Sequence, residues 1–191
     1  MAAADRRRAI LDVAVPLLIE KGSSLTTAQV AQAADIAEGT IFRVFPDKSA
    51  LIFEAVKATM DPAEVASAIR AISPSASMQA RLGEAARLLR DHFNRMMALG
   101  ESLRSASMLQ GARHREVHRL IKESSAVISA ALEDLFERHR AALRVPPASA
   151  VAALRGLVFA SAHPLLPPRE RLAIDDALSI LLSGIAKHEE A

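Results

Sequence analysis

The sequence predicts an all-α protein, with an N-terminal three-helix domain that contains a helix-turn-helix, joined to a larger C-terminal helical bundle. Two observations carry this prediction. Apolar residues make up 51% of the 191 residues and recur at the three- and four-residue spacing of a helix face. No segment of useful length shows the apolar–polar alternation of a strand, and only 7 residues are Gly. We expect about nine helices.

The first helix is predicted over residues 5–21. Gly22 follows it and can adopt the left-handed backbone that commonly ends a helix. Pro16 removes one backbone hydrogen bond inside the segment, so we expect a kink or an irregularity there. Asp12 and Pro16 also interrupt the apolar run, and no stretch reaches the length that spans a bilayer. We therefore expect a cytoplasmic protein with no membrane segment.

The second and third helices form the predicted helix-turn-helix over residues 26–45. Thr26 and Gln29 have the spacing of a capping box, which starts the second helix. Asp35 begins the turn, because Asp is among the few residues that tolerate the left-handed conformation. The third helix is predicted over residues 37–45, and the proline after it ends it.

The remaining helices are separated mainly by Pro and Gly. Asp47 is a good N-cap for the fourth helix, and we expect Gly100 and Gly111 to interrupt the pattern that follows. The predicted helices cover residues 48–60, 62–72, 78–99, a short segment ending at 110, 114–143, 148–163 and 169–187.

The charge of the first 60 residues gives no general preference for a polyanion. The whole chain carries a net charge of +2, but residues 1–60 hold seven cationic and seven acidic side chains. DNA binding by this region would therefore depend on where its charges are placed.

The apolar pattern of the helix-turn-helix leaves one face of its second helix free. Ala31 is the small residue at which the two helices touch. The shared core is predicted to contain Val30, Ala34, Ile36, Ile41 and Phe45. The outward positions are Glu38, Gly39, Thr40 and Arg43. An Ala-rich helical hairpin of a protein-binding adaptor would show similar spacing, so this alternative stays open.

The wider context is more specific. The segments "RRRAILDVAVPLLIEKG" and "LTTAQVAQAADIAEGTIFRVFPDKSALIFEAV" resemble, without gaps, the DNA-binding domain of the TetR family of transcriptional regulators. The resemblance implies a DNA-binding domain at residues 1–60 and a ligand-binding and dimerisation domain at residues 61–191. It also implies a homodimer, repression of a palindromic operator in double-stranded DNA, and release by a small-molecule effector.

By this resemblance, several residues would contact the DNA backbone. Thr27 would give a hydroxyl and a backbone N–H to a phosphate, and Lys48 would pair with another phosphate. Gly39 would let the helix approach closely, and Thr40 would contact a phosphate or a thymine methyl group. The N-terminal Arg6, Arg7 and Arg8 would lie near the minor groove or flanking phosphates, unless they are only solvated.

Three further residues are candidates for contacts with bases, and two residues differ from those that the family usually has. Gln29 and Arg43 could read base edges, Arg43 most naturally those of guanine. Glu38 either accepts a hydrogen bond from a cytosine amine or is a tolerated acid at a helix start. Ala37 stands where the family usually has a capping Ser, and Phe42 where it has a Tyr, which removes a hydroxyl contact to phosphate.

The C-terminal part shows no motif, but its pattern suggests two regions. A soft lining for a hydrophobic effector is predicted from Phe93, Met96, Met97, Leu103 and Met108, which could equally be ordinary core residues. A dimer interface is predicted from Val151, Leu154, Val158, Leu178, Leu181 and Leu182, which could equally cover the core of the protomer.

Enzymatic and metal-dependent functions receive little support. The sequence has no Cys, no Gly-rich phosphate loop and no dense cluster of His, Asp and Glu, so we expect no enzyme and no cofactor. His114 and His118 have the i, i+4 spacing of two metal ligands, and a metal-responsive regulator is therefore an alternative. A solvated, Arg-rich helix face explains this pair better, and we expect no metal.

Overall fold

The computed structural model describes residues 3–104, 112–163, 166, 167, 169 and 171–185. Those residues form nine α-helices and contain no β-strand. The helices are α1 Ala3–Lys21, α2 Thr27–Ala33, α3 Glu38–Val44, α4 Lys48–Met60, α5 Ala63–Ala71, α6 Met78–Arg104, α7 Ala112–Glu137, α8 Pro147–Ala162 and α9 Ile174–Ile185. The predicted all-α fold class is confirmed.

The chain forms two compact units. The first unit consists of Met1–Asp61 and Arg95–Glu123, and the second of Pro62–Asn94 and Ser124–Ala191. The first unit therefore contains a segment of α6 and α7 that the predicted division between residues 60 and 61 places in the second domain.

The core of the first unit holds the helix-turn-helix in place. In this unit α1 packs mainly against α4, and α2 packs against α3. The largest side chains that are almost fully buried here are Ile10, Leu18, Leu25, Ile41, Phe45, Leu51, Ile52 and Leu99. Burying such apolar side chains is the main stabilising contribution to a domain of this size.

The core of the second unit lies between α5, α6, α7, α8 and α9. Its most deeply buried large side chains include Ile69, Leu82, Leu132, Phe136 and Leu154. Helices α8 and α9 pack directly against each other. Residues from the middle of α7 and α8 therefore face inward in this unit.

One expected interruption is wrong, and the kink expected at Pro16 stays a prediction. Helix α1 continues through Pro16, and Pro16 and Asp12 are both exposed, so water can satisfy the carbonyl that loses its N–H partner. Helix α6 continues through Gly100. A glycine inside a helix costs only about 1 kcal/mol relative to Ala, which the burial of the neighbouring Leu99 can offset.

Other boundaries differ at the helix ends. Helix α7 ends at Glu137, where residues 114–143 were predicted to be one helix, and a 3₁₀ turn Arg140–Ala142 follows. The short helix predicted to end at residue 110 lies mostly outside the described residues, as does Gly111.

Candidate nucleic-acid interface

The start of α2 is fixed by the predicted capping box. The Thr26 side chain accepts a hydrogen bond from the Gln29 backbone N–H at 3.2 Å, and the Gln29 Oε1 accepts one from the Thr26 backbone N–H at 3.0 Å. This reciprocal pair satisfies two donors that the first helical turn leaves without partners. The Gln29 Oε1 is thus engaged in the cap, and its NH₂ group remains to donate to a base.

The turn between α2 and α3 has the backbone that the sequence predicts. Asp35 has a φ of 52°, and it is the one non-glycine residue with positive φ in the part of the chain that the structure describes. The Ile36 N–H donates to the Ala31 carbonyl at 3.0 Å, which closes the turn onto α2. This left-handed residue sets the direction in which α3 leaves the turn.

Helix α3 presents one buried and one outward face. Ile41 and the following Phe45 are each about 1% exposed, so they anchor the helix in the core. Its outward face contains the exposed Glu38, Gly39, Phe42 and Arg43 and the half-buried Thr40. Ala37 precedes the helix and makes no side-chain cap, as expected.

Gly39 has no packing reason to be glycine. Its φ is not positive, and a Cβ added there would meet nothing within 4 Å. Since Ala favours a helix over Gly by about 1 kcal/mol, the fold alone would favour Ala at this position. A close approach by another molecule to the outside of α3 would account for the glycine.

A hydrogen bond joins the starts of α2 and α3. The Thr27 hydroxyl donates to Glu38 Oε1 at 2.6 Å, and both side chains belong to exposed or half-buried residues. The hydroxyl that is predicted to contact a phosphate therefore already donates its hydrogen bond to a carboxylate. The two residues are 11 positions apart across the turn, and no helical spacing rule would have found this pair.

The three N-terminal arginines, Arg6, Arg7 and Arg8, have different surroundings in the structure. The Arg7 guanidinium pairs with Glu54 of α4 at 2.9 Å and lies 4.8 Å from the centre of the Phe45 ring. Arg7 thus joins α1 to α4 and to the end of α3, and its guanidinium is already engaged inside the first unit. Arg6 is half buried and Arg8 is exposed.

The start of α4 holds the predicted Lys48. Asp47 is the N-cap, as the sequence indicates, and its Oδ1 accepts from the Ala50 N–H at 2.6 Å. Lys48 is the first residue of the helix and is half buried. The cap fixes the backbone from which Lys48 projects.

The residues predicted to line an effector site belong to both units, and two of them have side chains outside the described residues. Phe93 belongs to the second unit, where its ring lies 5.3 Å from that of Phe159 in an edge-on arrangement. Met96 packs against the core of the first unit, and Met97 is half buried. The side chains of Leu103 and Met108 lie outside the described residues.

The side chains predicted for the dimer interface are used by the core of the second unit. Val151, Leu154, Val158, Leu178 and Leu181 are at most 5% exposed, and Leu182 packs against the same core. Their surroundings agree with the alternative that these residues cover the core of the protomer.

The outer faces of α8 and α9 are small and mostly uncharged. The exposed residues of α8 include no charged side chain and are Ala148, Ser149, Ala152, Gly156 and Phe159. On α9 the exposed residues after the acidic first turn are Ser179, Ile180, Ser183 and Gly184. Phe159 and Ile180 are 50% and 57% exposed, which is high for large apolar side chains.

The described residues contain neither a group of metal ligands nor a membrane-spanning helix. His118 is exposed, whereas the side chain of His114 lies outside the described residues. Among the residues that were described, no three or more His, Cys, Asp or Glu side chains are grouped to hold a metal ion. Within the same part of the chain, no helix combines the length and the apolar character needed to cross a membrane.

Comparison with known proteins agrees with this geometry. Residues 10–55 match the family model of bacterial regulatory proteins of the tetR family. This region contains α2, the turn, α3 and most of α4. No curated protein matches the sequence.

Several solved structures share the fold over nearly the whole chain. A protein from Mesorhizobium loti described as a TetR-family transcriptional regulator has a TM-score of 0.70 at 18% identity, covering 98% of this chain and 100% of its own. The Escherichia coli protein NemR in its reduced form has a TM-score of 0.69 at 14% identity, covering 96% and 100%. AibR, solved with isovaleryl coenzyme A and operator DNA, has a TM-score of 0.53 at 21% identity, covering 93% and 97%.

Proposed function

We propose that this chain, a TetR-family regulator by its helix-turn-helix domain and its fold, is a homodimeric repressor that a small molecule releases from a palindromic operator. The observation that carries the DNA-binding part is the outward face of α3. Gly39 lies in this face without a packing reason, and Thr40 and Arg43 follow it one and four residues later in the helix. A helix with such a face fits the major groove.

The contacts would divide into backbone and base contacts. Thr40 and Lys48 would meet phosphates, and Arg43 would read a guanine edge. Gln29 could donate through its NH₂ group, since its carbonyl oxygen is used in the cap. Arg6 and Arg8 would meet flanking phosphates, whereas Arg7 would act mainly by stabilising the first unit through Glu54 and Phe45.

The dimer would form through the outer faces of α8 and α9. Small residues such as Ala152, Gly156 and Gly184 allow the backbones of two helices to approach closely, and the exposed Phe159 and Ile180 would be covered. This assignment replaces the buried side chains predicted from the sequence. A twofold axis at this interface would place two copies of α3 on the two halves of a palindrome.

Regulation would follow from differential binding. An effector that binds the second unit more tightly in a conformation with low DNA affinity shifts the population toward that conformation. AibR, which was solved with both isovaleryl coenzyme A and operator DNA, is a protein of the same fold that accepts both kinds of partner.

The direct test is a gel shift with the DNA upstream of the gene for this protein. We expect tighter binding to this DNA than to random DNA of equal length, and an affinity that falls steeply with salt because phosphate contacts release counterions. Arg43→Ala should reduce the preference for the upstream DNA, while Arg144→Ala, an exposed position in the second unit, should not. Equal affinity for both DNAs at every salt concentration would contradict the proposal.

A further inference from the structure

The second unit contains an arginine whose charge has only neutral partners. The Arg155 Nη1 donates to the Ser125 carbonyl at 3.0 Å and to Ser129 Oγ at 2.7 Å, and its Nη2 donates to Ser125 Oγ at 2.7 Å. Ser125 and Ser129 lie one turn apart on α7, while Arg155 lies on α8. In the described residues, no carboxylate pairs with this guanidinium.

This arrangement leaves one edge of the guanidinium available. Two N–H groups of Nη1 and one of Nη2 have acceptors, so Nε–H and the second N–H of Nη2 have none in the described part of the protein. Nε and Nη2 form the side edge of the planar group, which binds a carboxylate or phosphate through two parallel hydrogen bonds.

The surroundings make such an anion favourable. Arg155 is half buried, so the guanidinium is partly removed from water and still reachable. Burial lowers the pKa of Arg155 from its ordinary value, which means that its charge is poorly solvated. A charge of this kind is stabilised by a counterion, and the two serines hold the guanidinium in a fixed position for one.

We infer that Arg155, oriented by Ser125 and Ser129, is a binding site for the carboxylate or phosphate group of a small molecule. The inference deepens the proposed function, and it rests on that function for its regulatory meaning, since it makes the effector an acid. The binding itself does not depend on DNA.

The test uses the full-length protein without DNA and three probes that share a phenyl ring. Benzoate and phenyl phosphate carry the two candidate anionic groups, and benzamide is a neutral analogue of benzoate. We expect titration calorimetry and thermal shift to detect at least one anion but not benzamide, and the better anion identifies the head group. If benzamide binds as well as both anions, or if none binds, the inference is overturned.

Variants assign the binding to Arg155. Arg155→Gln should abolish anion binding, and Arg155→Lys, which keeps the charge but loses the two-donor edge, should weaken it about tenfold. Arg144→Gln, at an exposed position of the same unit, should leave it unchanged. If Arg155→Gln does not fold, the Lys variant decides, and wild-type affinity in that variant overturns the inference.

The regulatory meaning is tested separately by adding the bound anion to the gel shift. Release of the upstream DNA that needs about tenfold more anion for Arg155→Lys than for wild type supports an acidic effector. Anion binding without any specific DNA binding would leave the site in place and overturn the proposed function instead. Specific DNA binding without anion binding would support the proposed function and overturn the anion site.

Discussion

At the scale of single residues, the outward face of α3 combines a carboxylate with the residues proposed to meet DNA. Glu38 accepts from the Thr27 hydroxyl at 2.6 Å, so each side chain limits where the other can lie. A carboxylate held near a phosphate lowers the affinity for every DNA sequence, and only a matching donor on a base compensates for it. We therefore propose that Glu38 raises specificity at the expense of affinity.

The first prediction concerns Glu38→Gln. We expect random DNA to bind about fivefold more tightly at low salt, because removing a charge near phosphates is worth about 1 kcal/mol. The upstream DNA should gain less, so the ratio of specific to random affinity falls. Anisotropy titrations on both DNAs and on operators with single base substitutions measure this. An equal change on every DNA would show that Glu38 has no role in specificity.

The second prediction concerns Gly39→Ala. Because an added Cβ meets nothing within 4 Å, the variant should be more stable by up to about 1 kcal/mol in urea unfolding. Its affinity for the upstream DNA should fall about tenfold, since a methyl group would separate α3 from the DNA. Gly100→Ala is the matched control, because a Cβ there also meets nothing within 4 Å. It should be stabilised similarly and bind DNA normally. Unchanged DNA affinity in Gly39→Ala would contradict the close approach.

At the scale of elements, helix ends are fixed by local hydrogen bonds and by contacts between distant helices. The capping box of α2 and the Asp47 cap of α4 are local. The region after α7 is fixed differently, since Arg81 of α6 donates to Nε2 of His139. Arg81 is only 6% exposed, and its Nε also donates to the Ala76 carbonyl at 2.8 Å. The bond from Arg81 requires an unprotonated Nε2, so His139 is neutral when this bond is made.

The third prediction is a pH dependence that belongs to this contact. Desolvation by burial, and then the charges of Arg81 and Arg138, lower the pKa of His139. Because the pKa of the folded state lies below that of the unfolded chain, the unfolded chain binds more protons between the two values. The free energy of unfolding therefore has its full value above the ordinary histidine pKa and falls as the pH drops toward the folded pKa.

Substitution of the histidine should remove this part of the pH dependence. His139→Gln keeps a hydrogen-bond acceptor for Arg81 and does not titrate. We expect urea unfolding at about pH 7.5 and about pH 5.5 to show a smaller loss of stability in the variant than in wild type. His118→Gln, at an exposed position, is the control. A loss of equal size in wild type and His139→Gln would exclude this contact as its source.

At the scale of the whole molecule, assembly decides whether one recognition helix or two meet the DNA. The side chains predicted for the interface, including Leu154 and Leu181, are buried in the core of the second unit. What remains on the outside of α8 and α9 is a face of small residues with Phe159 and Ile180. A face without charges on its α8 side is unusual for a solvent-exposed helix, which supports its use in self-association.

The fourth prediction concerns Gly156→Glu. A Cβ at Gly156 meets nothing within 4 Å, so the protomer should fold, while a charge in the proposed interface should separate the dimer. Light scattering should report a monomer, and the affinity for the palindrome should fall to that of one half-site. Ala80→Glu, an exposed position near the start of α6, should remain a dimer. A dimeric Gly156→Glu protein would place the interface elsewhere.

Local sequence signals determined much of this protein. The capping residues Thr26 and Asp47, the left-handed Gly22 and Asp35, and the spacing of Ile41 and Phe45 predicted the elements of the helix-turn-helix because each effect acts within a few residues. The prediction that Gly100 interrupts the helix was wrong because it considered only local effects. A residue preference of about 1 kcal/mol is smaller than what tertiary packing of a long helix supplies.

Only the tertiary structure decided how distant side chains are used. It paired Thr27 with Glu38, engaged Arg7 with Glu54, and placed Arg155 among the hydroxyls of α7. It also turned Val151 and Leu178 into the core and left Phe159 outside. An amphipathic pattern shows that a helix has an apolar face, but the number of apolar neighbours available inside the protomer determines which residues of that face are covered. That number is a property of the packed helices and not of any one segment.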